Sequence, residues 1–236
     1  MPEPEPSAGP APHGSAAAVP DESAAAVPDD SAAPRPPLTP SARRWRRAGV
    51  TGVLCLVFLL LVSTFVMQPF LIPSSSMEPT LTAGDRVLVN KLAYRFGSEP
   101  RRGDVVVFDG SGYFGDSDYI KRVVGVGGDR VVCCGKQGRV EVNGEPVDEA
   151  YLYPGDVPST VPFDVVVPEG TLFVLGDHRS DSSDSRDHLG SPGGGMVPLD
   201  TVVGRADLIG LPLDRSGSID RPDAFAGVPR PDGAHG

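Results

Sequence analysis

The chain has 236 residues and a formal net charge of −10. Its one dense cluster of basic residues is RRWRR at 43–47, so the sequence lacks the basic stripe typical of nucleic-acid-binding proteins, and nucleic acid is excluded as a partner. Composition also changes sharply along the chain, which predicts that the folded part is smaller than the whole.

Both ends of the chain have the composition of disordered segments. Residues 1–42 consist almost entirely of Ala, Pro, Ser, Gly and acidic residues, with six acids against the single Arg35. Such a segment cannot bury enough apolar surface to offset the entropy lost on ordering. We therefore predict a disordered cytoplasmic tail at 1–42 and a second disordered tail at 214–236, which is rich in Gly, Pro and charge. One compact body remains at 68–213.

The apolar run after the basic cluster predicts a membrane anchor over residues 43–67. Twenty residues from Ala48 to Met67 carry no charge, and a helix of that length spans a hydrocarbon core of about 30 Å. Four arginines flank its N-terminal end, so the positive-inside rule places that end in the cytoplasm and the body outside. A cleaved secretory or twin-arginine signal is the alternative, but this run is long and ends without a good small-residue cleavage site.

Short β-branched segments bounded by Gly, Pro and Asp predict a mainly β body. Asn143-Gly144 lies between two apolar segments and predicts a hairpin. No long helical period follows Met67, so we expect a single sheet-rich domain. The predicted strands are 87–90, 104–108, 119–126, 130–134, 140–147, 163–167 and 171–177.

Three stretches of this body carry residues suited to chemistry. PSSSMEPT at 73–80 holds three adjacent serines, although alone it is typical of a linker. YIKRVVGV at 119–126 places Lys121 in an apolar strand, where burial would lower the pKa of its amine. GDHRSDSSDSR at 176–186 resembles a solvated loop when taken alone. The three together, in this order, are far more specific than any one of them.

With RRGDVVVF at 101–108, these stretches resemble bacterial type I signal peptidase (leader peptidase), a family of membrane-bound Ser/Lys proteases. The resemblance implies that Ser76 is the nucleophile and Lys121 the general base. It implies that Ser74 and the Ser76 backbone N–H form the oxyanion hole, and that Ser182 holds the Lys121 amine. It also implies a supporting ion-pair network, whose members are Asp177, Asp184, Arg186 and Arg122.

The implied fold is mainly β, with a single N-terminal transmembrane helix followed by an extracytoplasmic β-rich Ser/Lys protease core. A small inserted β region is expected at 130–164. The implied function is removal of signal peptides from exported preproteins at the outer face of the bacterial cell membrane. Signal peptides, the phospholipid membrane and the secretion translocon are the implied partners. Because a neutral lysine can take and return the Ser76 proton, we expect neither a metal nor a cofactor.

Other functions remain open at this point. A Ser-His-Asp protease could be built from Ser76, His178 and either Asp177 or Asp181, because such triads are defined by geometry and not by order along the chain. An inactive membrane-anchored peptide-binding module is the alternative outside enzymes. The self-cleaving repressors, which share Ser/Lys chemistry, fit less well because the sequence shows no DNA-binding segment ahead of the core.

The sequence departs from the family pattern at three places. His178 stands where the family usually has Asn, residues 191–195 resemble an insertion, and Leu211-Pro212 replaces the more usual Trp-Pro. Separately, Cys133 and Cys134 are adjacent in a segment that we expect to face an oxidising compartment. They are predicted to form a vicinal disulfide or to stay free and buried, in either case without a catalytic role.

Overall fold

The described part of the chain begins with a single long helix. A computed structural model describes residues 40–231 except residue 136, so the tail predicted at 1–42 lies almost wholly outside the described residues. Helix α1 runs from Pro40 to Phe65. Its segment Ser41–Ser63 is long and apolar enough to cross a membrane. The helix ends before the predicted limit at residue 67 because the next residues already pair in a sheet.

The rest of the chain forms two antiparallel sheets connected by turns. The twelve strands are β1 Met67–Leu71, β2 Arg86–Asn90, β3 Val105–Asp109, β4 Asp118–Val126, β5 Arg130–Cys133, β6 Glu141–Val142, β7 Glu145–Pro146, β8 Phe163–Val166, β9 Thr171–Leu175, β10 Val197–Pro198, β11 Val202–Leu211 and β12 Gly217–Ser218. The mainly β fold predicted from the sequence is therefore confirmed. Short 3-10 turns lie at Arg179–Asp181, Leu199–Thr201, Leu213–Arg215 and Asp223–Phe225.

The larger sheet has the strand order β1-β2-β11-β3-β4-β9-β10, with β12 pairing to β11. Strand β4 therefore lies inside the sheet, between β3 and β9, and six of its nine residues are buried. The loop after β1 packs on this sheet through Ile72, Met77 and Leu81, which share an apolar cluster with residues of β2, β3 and β4. This packing brings the three-serine stretch against the strand that carries Lys121.

The smaller sheet has the order β7-β6-β5-β8 and occupies the region around the insertion predicted at 130–164. Asn143 and Gly144 both have positive φ, 52° and 83°, and connect β6 to β7 as the predicted two-residue hairpin. The sulfurs of Cys133 and Cys134 are bonded to each other at the end of β5. An apolar cluster containing Val131 joins this sheet to Phe173 of β9.

The C-terminal segment packs against the body, whereas the sequence predicts disorder from residue 214. Phe225 is buried in the apolar cluster that joins the two sheets. Arg221 forms an ion pair with the buried Asp104, and Arg102 donates a hydrogen bond of 3.2 Å to the carbonyl of Val228. These few residues are enough to hold the segment against the body, but they hardly change its average composition, from which disorder was predicted.

We predict that Phe225→Ala destabilises the protein although the residue lies in a segment with the composition of a tail. Truncating a buried Phe to Ala costs about 3 kcal/mol or more, which would lower the melting temperature of a chain of this size by about 6–12 °C. Leu213→Ala is the matched control, because Leu213 is 77% exposed. Thermal unfolding of the full-length protein in detergent measures both variants. Equal melting temperatures would show that the segment does not pack as described.

Candidate active site

Ser76 lies in a tight turn just after β1. Two backbone hydrogen bonds close the turn, from Glu78 N to the Ser75 carbonyl at 2.9 Å and from Leu81 N to the Met77 carbonyl at 2.8 Å. Met77 is fully buried and fixes the residue that follows Ser76. Ser76 itself is only 6% exposed. A flexible linker would have none of these features, so the three-serine stretch is part of the folded body.

Lys121 lies in the middle of β4, opposite Val106 of β3. Its side chain is buried, and its Nζ lies 2.8 Å from Ser76 Oγ in a hydrogen bond. The structure thus brings together the two residues predicted as base and nucleophile, although 45 positions separate them in the chain.

Burial lowers the pKa of the Lys121 amine to about 8. The carboxylates of Asp184 and Asp177 act in the opposite direction, while the Arg186 charge adds to the lowering. An amine with the ordinary pKa near 10.4 is neutral in about one molecule in 2,500 at pH 7, whereas a pKa near 8 makes it neutral in about one in ten. A neutral amine, which can act as a base, is therefore available near neutral pH.

The three adjacent serines have different surroundings. Ser74 Oγ lies 3.3 Å from Ser76 Oγ, within hydrogen-bond distance. Ser75 Oγ instead donates to the carboxylate of Asp181 in the 176–186 loop. The turn at these residues therefore directs the Ser75 side chain to a different neighbour. Of the two neighbouring serines, Ser74 is the one whose hydroxyl lies beside that of Ser76.

Arg122 and Asp177 form a buried ion pair beside the Ser76–Lys121 contact. Two hydrogen bonds of 2.8 and 2.6 Å join the guanidinium to the carboxylate, and the side chains are 2% and 0% exposed. The guanidinium also donates to the Gly103 carbonyl at 2.9 Å. Asp177 accepts a further hydrogen bond of 2.6 Å from the Thr80 hydroxyl, four residues after Ser76. The pair therefore links β4, the end of β9 and the turn that holds Ser76.

A second buried pair, Asp184–Arg186, closes the 176–186 loop on itself. Arg186 donates two hydrogen bonds of 2.8 Å to Asp184, which also accepts one of 3.0 Å from the Gly176 backbone N–H. Burial raises the pKa of Asp184, but the hydrogen bonds and charge of Arg186 outweigh burial, and the pKa is lowered overall. Asp184 is therefore ionised at neutral pH and fixes the start of the loop.

The 176–186 loop contacts Ser76 through its backbone. The His178 backbone N–H donates to the Ser76 carbonyl at 3.1 Å. A Cβ atom at Gly176 would lie 2.5 Å from the same carbonyl oxygen, so only glycine fits at this approach. Because these contacts use backbone atoms, the loop can hold Ser76 whatever side chain stands at position 178.

The His178 ring makes its contacts away from the Ser76 hydroxyl. Its Nδ1 lies 3.3 Å from the Ser75 carbonyl oxygen, and the ring stacks on Tyr153 with 3.9 Å between centroids. A Ser-His-Asp protease would need a ring nitrogen at Ser76 Oγ. The carboxylates that such a triad would use are also engaged elsewhere, Asp177 by Arg122 and Asp181 by Ser75.

Ser182 lies next to these elements, at the end of the 3-10 turn Arg179–Asp181. Its Oγ is buried and makes no hydrogen bond of normal geometry within the described part of the chain. The hydrogen bond that the structure gives Lys121 Nζ goes to Ser76. A role for Ser182 in holding the Lys121 amine therefore stays a prediction from the resemblance.

Two further buried residues of the site, Arg179 and Glu149, were not predicted from the sequence. They form an ion pair in which both side chains are almost fully buried, and Arg179 Nε donates to the Gly176 carbonyl at 3.0 Å. Tyr151 donates to Glu149 at 2.9 Å, and its ring lies 4.4 Å beneath the Arg122 guanidinium. Arg179 lies within a stretch that the sequence singles out, but no sequence signal points to its partner in the inserted region.

Comparison with known proteins gives consistent matches. A family model described as "Signal peptidase, peptidase S26" matches residues 45–211, which include Ser76, Lys121 and the whole 176–186 loop. Signal peptidase I of Mycobacterium tuberculosis is 37% identical over 234 aligned positions, covering 79% of this chain and 78% of that protein. A probable signal peptidase I of Mycobacterium leprae is 34% identical over 225 positions, covering 72% and 77%. A solved structure of a signal peptidase I from Enterococcus faecalis is 26% identical and covers 45% of this chain and 96% of that chain, with a TM-score of 0.37.

The buried ion pair between Arg122 and Asp177 leads to a prediction about stability. Asp177→Asn should lower the free energy of unfolding by about 3–5 kcal/mol, because it leaves the buried Arg122 charge without its counter-charge. Asp164→Asn is the matched control, since Arg130 and Asp164 form the same two-point pair with both side chains about half exposed. Thermal or denaturant unfolding of the full-length protein in detergent measures both. An equal effect of the two substitutions would contradict the structural role given to Asp177.

Proposed function

The chain belongs to the signal peptidase family, peptidase S26, and from this premise we propose that it removes signal peptides from exported preproteins with Ser76 as nucleophile and Lys121 as base. The observation that carries the proposal is the 2.8 Å contact between Lys121 Nζ and Ser76 Oγ, with both residues buried. A base within hydrogen-bond reach is the first requirement of a serine nucleophile.

The chemistry proceeds through an acyl-enzyme. The neutral Lys121 amine takes the Ser76 hydroxyl proton as Oγ attacks the carbonyl carbon of the scissile peptide bond. The Ser74 hydroxyl and the Ser76 backbone N–H donate to the oxyanion that develops. Lys121 then gives its proton to the leaving amine, and water, deprotonated by the same lysine, hydrolyses the ester and regenerates Ser76.

The supporting residues act by holding these groups in place. Ser182 is assigned to the Lys121 amine, whose orientation must be fixed for proton transfer. The network of Asp177, Asp184, Arg186 and Arg122 holds the strand that carries Lys121 against the loop that touches Ser76. Each carboxylate of the network has an arginine partner, and these ion pairs add rigidity.

The substrate follows from the position of the site along the chain. Ser76 lies nine residues beyond Met67, which at about 3.3 Å per residue limits it to about 30 Å from the end of the predicted anchor. A protease held so close to a membrane suits a bond that emerges from the bilayer. Signal peptides present such a bond after small residues in an A-x-A-like pattern, so shallow apolar subsites are expected for the first and third residues before the cut.

The proposal includes an orientation in the membrane. The four arginines at 43–47 hold the N-terminal flank of α1 in the cytoplasm, because translocating them across the membrane is unfavourable. The body after residue 67 then lies outside the cytoplasm, where exported preproteins emerge.

The pH dependence of cleavage tests the base. We expect kcat/KM on a signal-peptide substrate to rise about tenfold per pH unit below about pH 8 and to level off above, because only the neutral amine of Lys121 is active. Lys121→Arg should be almost inactive at all these pH values, because a guanidinium stays protonated. His178→Asn is the control and should keep most activity and the same pH profile. An inactive His178→Asn beside an active Lys121→Arg would favour the Ser-His-Asp hypothesis.

The three adjacent serines should be unequal in the same assay. Ser76→Ala should abolish turnover, since no other group in contact with Lys121 can form the acyl intermediate. Ser74→Ala should slow turnover by on the order of 10²- to 10³-fold, the usual loss of one oxyanion donor. Ser75→Ala, the matched neighbour, loses only an exposed hydrogen bond to Asp181 and should stay close to the parent. A folded but inactive Ser75→Ala, or an active Ser76→Ala, would contradict the assignment.

A further inference from the structure

Phe96 is an aromatic side chain that the protein holds out into solvent. It is 95% exposed, and its φ is +61°, a left-handed conformation that bulky L-residues rarely adopt. It lies in the loop between β2 and β3, at residues 91–98, which we call loop 91–98. A single exposed apolar residue is ordinary on a protein surface, so the inference depends on the position of the loop and on its other residues.

Loop 91–98 is anchored to the body. Asn90 Oδ1 accepts the Leu92 backbone N–H at 3.0 Å, and Arg95 N donates to the Leu92 carbonyl at 3.1 Å. Tyr94 points inward and donates from its hydroxyl to the buried Asp104 at 3.0 Å. With Tyr94 fixed inside, the tight turn that follows presents Phe96 to the outside. The exposure of Phe96 is therefore set by the loop backbone.

The loop begins at the end of the candidate membrane helix. Val66 directly follows α1, and its carbonyl accepts a hydrogen bond of 2.9 Å from the Lys91 backbone N–H. Met67 pairs with Asn90 in the same register. Phe96 is five residues beyond Lys91, so the chain allows it to be no more than about 17 Å from this junction. If α1 crosses the bilayer, loop 91–98 is therefore within reach of the membrane surface.

The exposed residues of the loop suit a lipid interface. Leu92 is 37% exposed, and the flanking Arg95 and Arg101 are exposed as well. Aromatic rings are favoured at the level of the lipid headgroups, and arginine binds lipid phosphates there. The apolar area of one Phe and one half-covered Leu is too small for a stable protein interface, which buries about 800 Å² per partner. Contact with a bilayer needs no such area, because a membrane-spanning α1 already keeps the loop close to the bilayer.

We propose that loop 91–98 docks on the outer leaflet, with the Phe96 ring at the boundary between headgroups and acyl chains and Arg95 on lipid phosphate. The inference rests on the proposed placement of α1 in the membrane. Its consequence is a second fixed point of the body on the bilayer, next to the helix. Because β2, which leads into the loop, pairs with β1, which leads to Ser76, the docked loop fixes the orientation of the active site over the membrane.

Tryptophan fluorescence in the full-length protein tests the proposal. Trp45 is the single tryptophan of the chain, so Trp45→Phe gives a background in which one new tryptophan can be placed at a chosen position. The loop probe is Phe96→Trp, the helix probe is Phe65→Trp at the end of α1, and the sheet probe is Val166→Trp, at a residue of the small sheet that is 43% exposed in the parent. Each protein is reconstituted in phosphatidylcholine–phosphatidylglycerol vesicles with and without bromine atoms on the acyl chains near the headgroups.

We expect the bromolipids to quench the loop probe and the helix probe by more than half and to leave the sheet probe nearly unquenched. Adding Arg95→Gln should weaken the quenching of the loop probe in vesicles that contain phosphatidylglycerol. A quenched helix probe beside a loop probe as unquenched as the sheet probe would overturn the docking of the loop and leave the placement of the helix intact. An unquenched helix probe would instead overturn the membrane placement of α1, and the docking inference with it.

Discussion

The burial of one amine against one hydroxyl is the constraint on which the rest of the structure depends. Lowering the pKa of Lys121 from its ordinary value to about 8 costs about 3 kcal/mol, and the surrounding packing has to supply that free energy. Strand β4 does so by lying inside the sheet. Two carboxylates nearby, Asp184 and Asp177, oppose this lowering of the pKa, and the Arg186 charge adds to it. Each carboxylate is paired with its own arginine.

Sequence patterns found most of this architecture because its strands are short, β-branched and bounded by turn residues. The principal exception is β11, ten residues at the centre of the large sheet, which the sequence analysis did not identify. Its Gly204, Arg205 and Asp207 interrupt the apolar pattern. In the structure Arg205 pairs with Asp207, and Gly204 is needed where the strand passes within reach of the Asn90 carbonyl. Arg205 and Asp207 share one face of the strand, but the buried face opposite them carries only the small Gly204 and Ala206, so the sequence shows no apolar alternation there.

Some residues of the candidate site could be found from the sequence, whereas others are recognised only in the folded structure. The family resemblance carried by three motif stretches pointed to Ser76, Lys121 and the 176–186 loop, which the structure brings together. It could not supply the Arg179–Glu149 pair, because the two residues are 30 positions apart and only the folded chain brings them together. The C-terminal segment was missed for a related reason. A few residues such as Phe225 decide its packing, and averages over composition do not resolve them.

The path of the chain from α1 to Ser76 restricts how far Ser76 can lie from the end of the helix. Strand β1 joins the end of α1 to the turn that holds Ser76, and it is paired along its whole length with β2. Five residues of strand span about 17 Å and cannot lengthen or shorten as a free linker would. The distance of Ser76 from the end of the helix is therefore fixed by the sheet. With α1 placed in the membrane as proposed, the site acts on bonds at one height relative to the end of the helix, and a soluble peptide gains nothing from that arrangement.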